Sequence, residues 1–350
     1  MKGSPVRGAR IGVAVVGAGL ATAPYWRSLE ELAHRAELRW LVARSAARVD
    51  AVRRDRFPGA VASTELDEAL DDPAVQAVLL LTPPSTHLAL GLRCAQAGKH
   101  VLVEKPVGLE TAETARLVEA FEASRLQFAV MLQHRLRGAA LALKRQMQAG
   151  ALGTMTTAAV DVRWWRPQSY YDEPGRGSLA RDGGGVLLTQ AIHTLDLFLH
   201  LAGTPTQVFA FAETSAAHRM ECEDAVAAVL RFAQGGIATI QATTAAYPGF
   251  AERIEISGKL GTACLSAGRL DLHFLDGRHE TVGDAESLGA GADPMAFSHH
   301  AHCAVLADFL DAVADGRAPA ISGRSVLPVR RLIDAMLQSG KSAALAGLVG

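Results

Sequence analysis

Short apolar runs alternate with helical patterns through the first 130 residues, and this alternation limits the chain to few folds. The apolar runs lie at residues 11–16, 38–43, 77–81 and 100–103. Helical patterns follow them at about residues 23–33, 46–57, 85–97 and 111–124. Buried strands that alternate with helices form a parallel sheet with helices on both faces. We therefore predict a doubly wound parallel sheet of the α/β class.

The pattern changes beyond residue 150. Runs rich in Val, Thr, Ile and Phe lie at residues 155–165, 207–214, 225–232, 237–246 and 253–257, and Gln234-Gly235-Gly236 is a hairpin signal between two of them. Helices are predicted at about 185–201, 299–315 and 326–343. The length of 350 residues suggests about two domains. We place them at residues 1–130 and 131–350, the second with an antiparallel or mixed sheet.

Charge and cysteine content exclude several classes of partner. The chain has 35 Lys and Arg against 36 Asp and Glu, which leaves no field that attracts nucleic acid or an acidic membrane. The four cysteines form no CxxC pair, so neither a disulfide framework nor a metal site is predicted. The apolar start at residues 11–20 imitates a secretory signal, but it is needed as the first strand. We expect a cytoplasmic protein without a membrane span.

Two glycines stand where the first strand meets the first helix. Glycines there let the backbone approach a pyrophosphate, which the N–H groups of the helix N-terminus then bind. The third position of the pattern is Thr22, where Gly or Ala is usual. An ordinary tight turn is the alternative. We predict that Gly17, Gly19 and Leu20 bind a dinucleotide.

The second strand ends at Arg44-Ser45, where an acidic residue would bind the ribose of NAD. An arginine with a hydroxyl neighbour suits the 2′-phosphate of NADP. The alternative is a solvated surface arginine. We therefore predict that Arg44 and Ser45 favour NADP, with NAD as the other possible cofactor.

Further motifs carry a resemblance to a known family. They are Thr82-Pro83-Pro84-Ser85-Thr86-His87, then Glu104-Lys105-Pro106, and later Asp182-Gly183-Gly184-Gly185 with Gln190, His193 and Asp196. With the glycine pair, this string resembles the Gfo/Idh/MocA family of oxidoreductases. The resemblance implies an N-terminal Rossmann domain and a C-terminal α/β domain with an open, mainly antiparallel sheet that often mediates oligomers. It also implies a homodimer or homotetramer, and cofactor contacts from Thr82, Pro83, His87, Glu104 and Lys105.

The resemblance also implies a catalytic pair. Lys105 ends a strand at the carboxyl edge of the parallel sheet, where its ammonium can orient a substrate hydroxyl or exchange a proton with it. His193 lies on an apolar helix and resembles the histidine assigned to proton transfer. The alternatives are a lysine that reaches to solvent and a satisfied core histidine. The implied reaction moves a hydride between nicotinamide and a sugar or sugar-derived alcohol, which makes the chain an enzyme.

One position departs from the family pattern. Inositol dehydrogenases of the family usually have an aspartate four residues before the histidine, and this chain has Thr189. A carboxylate would favour a protonated imidazole, whereas a threonine cannot. We hypothesise that His193 is neutral near pH 7 and acts as a base, while Lys105 supplies positive charge. Spacings of four and three predict that Thr189, His193 and Asp196 share one helix face.

The segment Arg163 to Tyr171 resembles the W-x-R…YY stretch of family members that oxidise the 3-hydroxyl of nucleotide-linked amino sugars. Arg166 could pair with a carboxylate or phosphate, and Tyr170 could bind a sugar. An aromatic plug in a loop is the alternative. We predict substrate contacts from Arg166, Tyr170, Thr189, Gln190 and His193. The alternative functions are an NAD-dependent nucleotide-sugar 3-dehydrogenase and a non-catalytic NAD(P)-binding sensor.

Overall fold

The computed structural model describes residues 10–19, 22–284 and 298–348. Internal contacts divide the chain into two compact units. The N-terminal unit comprises Met1–Gln133 and Ser298–Leu327, and the C-terminal unit comprises His134–Phe297 and Pro328–Gly350.

The N-terminal unit is built on a six-stranded parallel sheet in the order β3-β2-β1-β4-β5-β6. Its strands are β1 (Ile11–Val16), β2 (Ala36–Val42), β3 (Val61–Ser63), β4 (Ala77–Leu80), β5 (His100–Val103) and β6 (Phe128–Val130). Its helices include α1 (Ala23–Glu31), α2 (Ala46–Arg56), α3 (Leu66–Asp71), α4 (His87–Gln96) and α5 (Thr111–Ala123). The strand order reverses between β1 and β4, and ligands of doubly wound folds bind at the carboxyl ends of strands at such a point.

The central strands of this sheet are its core. Every residue of β1 and β4 is buried, because helices cover both faces of the sheet. This is the doubly wound parallel sheet that the sequence predicts. The short elements β3, α3 and β6 were not predicted, since three to six residues carry too little periodicity to identify.

The C-terminal unit contains a nine-stranded sheet in the order β14-β13-β12-β11-β7-β10-β9-β8-β15. Its strands are β7 (Met155–Arg163), β8 (Gln207–Glu213), β9 (Ala225–Arg231), β10 (Ile237–Thr243), β11 (Arg253–Gly258), β12 (Gly261–Ser266), β13 (Arg269–Phe274), β14 (His279–Val282) and β15 (Ala346–Gly347). Only β7 and β10 pair in parallel among these strands. The prediction of an open, mainly antiparallel second sheet is confirmed.

The helices of this unit are α6 (Gly138–Gln148), α7 (Gln168–Tyr171), α8 (Leu179–Asp182), α9 (Ile192–Ala202) and, near the end of the chain, α11 (Leu327–Ser342). A π-helical turn at Leu187–Ala191 leads into α9, whereas the sequence predicts one continuous helix over residues 185–201. The spacing from Thr189 to His193 therefore crosses a change of helical pitch. Thr189 and His193 therefore do not lie on one face of a regular α-helix, although their spacing of four predicts this.

The segment from α8 to α9 is also long and apolar. Residues Leu179–Ala202 are long and apolar enough, by composition, to cross a membrane. However, 83% of the 18-residue stretch that meets this criterion is buried inside the structure. This burial is typical of a core helix.

Helix α10 (His300–Asp315) returns to the N-terminal unit, although the sequence analysis assigned all residues after 130 to the second domain. Its His302 ring meets Tyr25 of α1 edge-on at 5.6 Å. After α10 the chain runs antiparallel to β6, where Val130 N donates to Ile321 O at 3.0 Å. Long-range packing against α1 and β6 decides this placement. Local sequence patterns cannot predict it, because they describe only neighbouring residues.

Removing the buried ring of Phe309 in α10 tests this placement. The Phe309 side chain is fully buried, so F309A should lower the free energy of unfolding by about 3–5 kcal/mol through lost burial and a cavity. D315N, at the exposed end of the same helix, should change it by less than about 0.5 kcal/mol. Urea unfolding followed by circular dichroism measures both, and equal costs would show that α10 is not part of a core.

Candidate functional site

The loop between β1 and α1 approaches the end of β4 closely at Gly17. Gly17 has φ +118°, and a Cβ there would lie 2.5 Å from the Leu81 carbonyl oxygen. Its N–H donates to Val42 O of β2 at 2.8 Å. Only glycine tolerates both the dihedral angle and the contact. Gly17 therefore shapes the loop at the carboxyl edge of the sheet.

Gly19 differs from Gly17, because a Cβ at Gly19 would meet no described atom within 4 Å. Its carbonyl oxygen accepts from the Thr22 hydroxyl at 2.7 Å and from the Thr22 N–H at 3.2 Å. The threonine that departs from the glycine pattern thus closes the loop just before α1. Leu20, also predicted to bind the cofactor, lies outside the described residues.

These features fit a dinucleotide. The space beside Gly19 is where a ligand can approach the backbone, and α1 begins directly after the loop with Pro24 in its first turn. Gly19 therefore leaves room on the side where the sequence predicts a pyrophosphate.

Arg44 and Ser45 follow β2 at the same edge of the sheet, and both are exposed. The Ser45 hydroxyl caps α2 by accepting from Arg48 N at 3.4 Å. Arg44 forms no ion pair with any residue that the structure describes. Its guanidinium is therefore available to an anion at the second strand end.

His87 joins the loops that follow β4 and β5. Its ring is fully buried, with Nε2 2.8 Å from Thr82 O and Nδ1 3.0 Å from Pro106 O. Burial lowers the pKa of His87, although both carbonyl contacts oppose the change. We interpret His87 as a residue that positions these loops, and direct contact with a cofactor stays a prediction. Thr82 also accepts from the Thr86 hydroxyl at 2.7 Å, and Pro83 precedes that turn in an extended conformation.

Glu104 and Lys105 follow β5 and are both partly exposed. The Glu104 carboxylate accepts from the Tyr25 hydroxyl at 2.7 Å and from the Lys105 N–H at 3.0 Å. Burial raises the pKa of Glu104, and the charge of Lys105 and these hydrogen bonds lower it. The contact from Tyr25 could not be predicted from the sequence, because nothing in its own segment indicates a partner 79 positions away.

In the C-terminal unit, His193 is buried at the start of α9. Its ring stacks on that of His134, with 4.9 Å between centroids and 26° between planes. His134 Nδ1 lies 3.9 Å from Glu252 Oε1, which also accepts from Arg137 at 2.9 Å. His193 stands in a recognisable motif, whereas these neighbours lie far away in the chain and carry no signal of their own in the sequence.

Asp196, one turn along α9, is held by a buried ion pair with Arg135. Arg135 Nε donates to Asp196 Oδ2 at 2.7 Å, and a second guanidinium nitrogen reaches Oδ1. Burial raises the pKa of Asp196, and the charge of Arg135 lowers it. This residue of the family pattern therefore fixes the helix that carries His193.

Three predicted substrate residues form a small polar group. Thr189 Oγ1 donates to Gly185 O at 2.7 Å and also contacts Gln190 Oε1. The Gln190 amide lies 3.5 Å from the Tyr170 hydroxyl. The structure thus brings Thr189, Gln190 and Tyr170 together within the C-terminal unit.

Arg166 lies next to aromatic side chains. Its side chain is buried, with the guanidinium carbon 5.2 Å from the Trp164 ring centroid and 5.7 Å from that of Tyr170. One guanidinium nitrogen donates to Trp165 O at 2.7 Å. The aromatic packing that was the alternative interpretation of this segment is therefore present, and an anion contact of Arg166 stays a prediction.

Two adjacent buried carboxylates, Glu223 and Asp224, anchor these segments. Glu223 accepts from Gly185 N at 3.0 Å and Leu187 N at 3.2 Å, which caps the helical segment that leads to His193. Burial raises the pKa of Glu223, opposed by these backbone hydrogen bonds.

Asp224 anchors the other segment through His218. His218 Nδ1 lies 2.5 Å from Asp224 Oδ2, and its Nε2 lies 2.8 Å from Arg166 O. The sequence analysis assigned no role to Glu223, Asp224 or His218. Their only local signal is a pair of acidic residues just before the apolar strand β9.

Within the described ranges, no group of three or more His, Cys, Asp or Glu side chains is placed to hold a metal ion.

Comparison with known proteins agrees with this geometry. A family model described as "Oxidoreductase family, NAD-binding Rossmann fold" matches residues 11–132, and one described as "GFO/IDH/MocA C-terminal domain" matches residues 140–264. The chain is 29% identical over 203 residues to scyllo-inositol 2-dehydrogenase (NADP(+)) IolW of Bacillus subtilis, which covers 57% of this chain. The match spans 54% of that relative, or little more than half of its length.

Two other proteins match over nearly their whole length. Inositol 2-dehydrogenase 2 of Paenarthrobacter aurescens is 28% identical over 339 residues, covering 94% of this chain and 96% of that protein. The WlbA dehydrogenase of Bordetella pertussis, solved in complex with NADH and UDP-GlcNAcA, superimposes with a TM-score of 0.83 at 26% identity. That match covers 98% of this chain and 100% of the other. The chain belongs to the Gfo/Idh/MocA family of oxidoreductases.

Proposed function

We propose that this protein is an NADP-preferring dehydrogenase or reductase that acts on a sugar or a sugar-derived alcohol. One observation carries the proposal. Gly19, with open space at its α-carbon, and Lys105 both follow strands at the carboxyl edge of one parallel sheet. Ligands of such sheets bind at this edge.

The two predicted catalytic residues have different tasks in this proposal. A bound nicotinamide supplies the hydride chemistry. Lys105 orients the substrate hydroxyl and supplies positive charge to the oxygen as its proton leaves. In the oxidation direction His193 accepts that proton, and in the reduction direction it returns it.

The relatives and the polar group in the C-terminal unit support the proposed substrate class. Two relatives are named as inositol dehydrogenases, and inositols are polyols. Thr189, Gln190 and Tyr170 carry hydroxyl and amide groups of the kind that bind sugar hydroxyls. Thr189 in place of the usual aspartate argues against a simple inositol substrate.

A second candidate is an NAD-dependent nucleotide-sugar 3-dehydrogenase. The observation that favours it is the buried guanidinium of Arg166 beside Tyr170, since a buried arginine can hold a carboxylate or phosphate. The WlbA dehydrogenase, to which this chain is similar, was solved with UDP-GlcNAcA. A non-catalytic NAD(P)-binding sensor is the third possibility.

We also propose a homodimer or homotetramer in the cytoplasm. Phe209 pairs with Val229, and Ile237 pairs with Arg231, so their side chains lie on one face of the second sheet. About half of the surface of Val229 and Ile237 is exposed, as is that of Phe211. An apolar face of this kind supports contact with a second copy of the chain.

The two glycines provide a test of cofactor binding that separates folding from ligand contact. G19A should leave the melting temperature unchanged, because its Cβ meets no described atom, but weaken NADPH binding at least about tenfold by blocking the ligand. G17A should instead lower the melting temperature, because its Cβ would overlap the Leu81 carbonyl. Thermal unfolding and fluorescence titration measure the two effects. NADPH affinity unaffected by G19A would place the cofactor elsewhere.

Arg44 tests the preference for NADP. A charge-assisted hydrogen bond to the 2′-phosphate contributes about 1.5–3 kcal/mol, so R44A should weaken NADPH binding roughly 10- to 100-fold and leave NADH binding almost unchanged. R54A, an exposed arginine near the other end of α2, serves as the matched control. Equal effects of R44A on both nucleotides would count against the NADP preference.

Turnover tests the proposed reaction and its alternatives. The purified protein is screened for a change in nicotinamide absorbance with inositols, free sugars and UDP-GlcNAcA, using NADP and NAD. K105M and H193N should each lower kcat roughly 100- to 10,000-fold on any active substrate, whereas K259M, at an exposed lysine, should not. Turnover of UDP-GlcNAcA alone would favour the second candidate. Nucleotide binding without any turnover would favour the sensor.

A further inference from the structure

His193 belongs to a buried polar cluster in the C-terminal unit whose other members the proposed reaction does not use. We call it the histidine cluster, and it consists of His134, Arg137, His193 and Glu252. His134, His193 and Glu252 are each more than nine-tenths buried. Charges in such surroundings interact more strongly than charges in water.

The two imidazoles of this cluster lie close enough for the protonation of one to affect the other. Their rings are nearly parallel, at 4.9 Å between centroids. A proton on either ring therefore disfavours a second proton on the other. The charge state of His193 depends on what surrounds His134.

Glu252 is the anion beside His134. Its Oε1 lies 3.9 Å from His134 Nδ1, which is an ion-pair distance, and accepts a hydrogen bond from Arg137 at 2.9 Å. Its Oε2 forms no hydrogen bond with the described residues. Glu252 and Thr194 line a cavity of about 20 Å³, which has room for one water molecule beside the carboxylate.

A second pair of charged residues lies next to the cluster. Asp196 and Arg135 lie on the same two segments as His193 and His134, but they form a bidentate pair with each other. Thr189 has no charge, and its hydroxyl donates to Gly185 O at 2.7 Å. Within the cluster, Glu252 and Arg137 are the charged groups besides the imidazoles, and the proposed reaction adds the positive charge of Lys105.

We propose that Glu252, acting through His134, sets the protonation of His193 and takes the place of the carboxylate that Thr189 cannot supply. His134 and Glu252 are positioning residues in this scheme, and the role of His193 as the base rests on the proposed function. The negative charge of Glu252 raises the proton affinity of the histidine pair, whereas the positive charge of Arg137 lowers it.

Variants of the two charged residues should therefore act in opposite directions. E252Q removes the anion and should lower the proton affinity of the pair about tenfold, which is roughly one pH unit. R137Q removes the cation and should raise the proton affinity. A change that merely disturbed packing would not produce shifts of opposite sign.

Nuclear magnetic resonance titration of the full-length protein with labelled histidines measures these shifts without turnover. H134N and H193N assign the two signals. Where the buried guanidinium prevents E252Q from folding, the double variant E252Q/R137Q is used, and it should titrate between E252Q and R137Q. Titration curves that match the wild type in all of these variants would overturn the proposal.

The pH dependence of turnover separates this inference from the proposed function. For oxidation, the acid limb of kcat/KM should move to lower pH in E252Q and to higher pH in R137Q, because the base must be neutral. Opposite shifts in the histidine titrations with no turnover on any substrate would leave the inference standing and reject the dehydrogenase. Turnover with an acid limb that does not move would reject the inference and keep the enzyme.

Discussion

The close contact between the β1–α1 loop and the end of β4 is the constraint on which the nucleotide side of this protein depends. A side chain at Gly17 would overlap the Leu81 carbonyl, so the loop can run here only with glycine. The contact lies where the strand order reverses, and at Gly19 a Cβ would meet none of the described atoms within 4 Å. His87 then joins the loops after β4 and β5 through two carbonyl oxygens, which fixes the backbone around Lys105.

In the C-terminal unit, buried charged side chains hold the segments that carry the predicted site residues. Glu223 caps the helical segment that leads to His193, and Asp224 holds the Arg166 backbone through His218. Burying a carboxylate is costly unless hydrogen bonds or a cation compensate, and each of these has such partners. The residues proposed to contact substrate are therefore positioned by groups that need not touch it.

Much of the N-terminal unit could be predicted, because its long strands and helices carry their own periodicity. β1 and β5 lie at the residues where apolar runs predict them. β3 and β6 were not predicted, because three residues are too few to show a pattern. The candidate site was predicted only in part. Lys105 and His193 stand in recognisable motifs, but Tyr25, His134 and Glu252 do not, since they meet their partners through contacts far apart in the chain.

The sequence by itself determined the class of fold, the glycine loop and the motifs of an oxidoreductase family, because local periodicity and residue type are enough for these. Tertiary structure alone decided that α10 returns to the N-terminal unit and that His134, with Glu252 beside it, stacks on the proposed base His193. The physical reason is the distance along the chain over which each interaction acts. Helix and strand preferences act over a few residues, whereas charge and packing act through space between segments that the chain order does not connect.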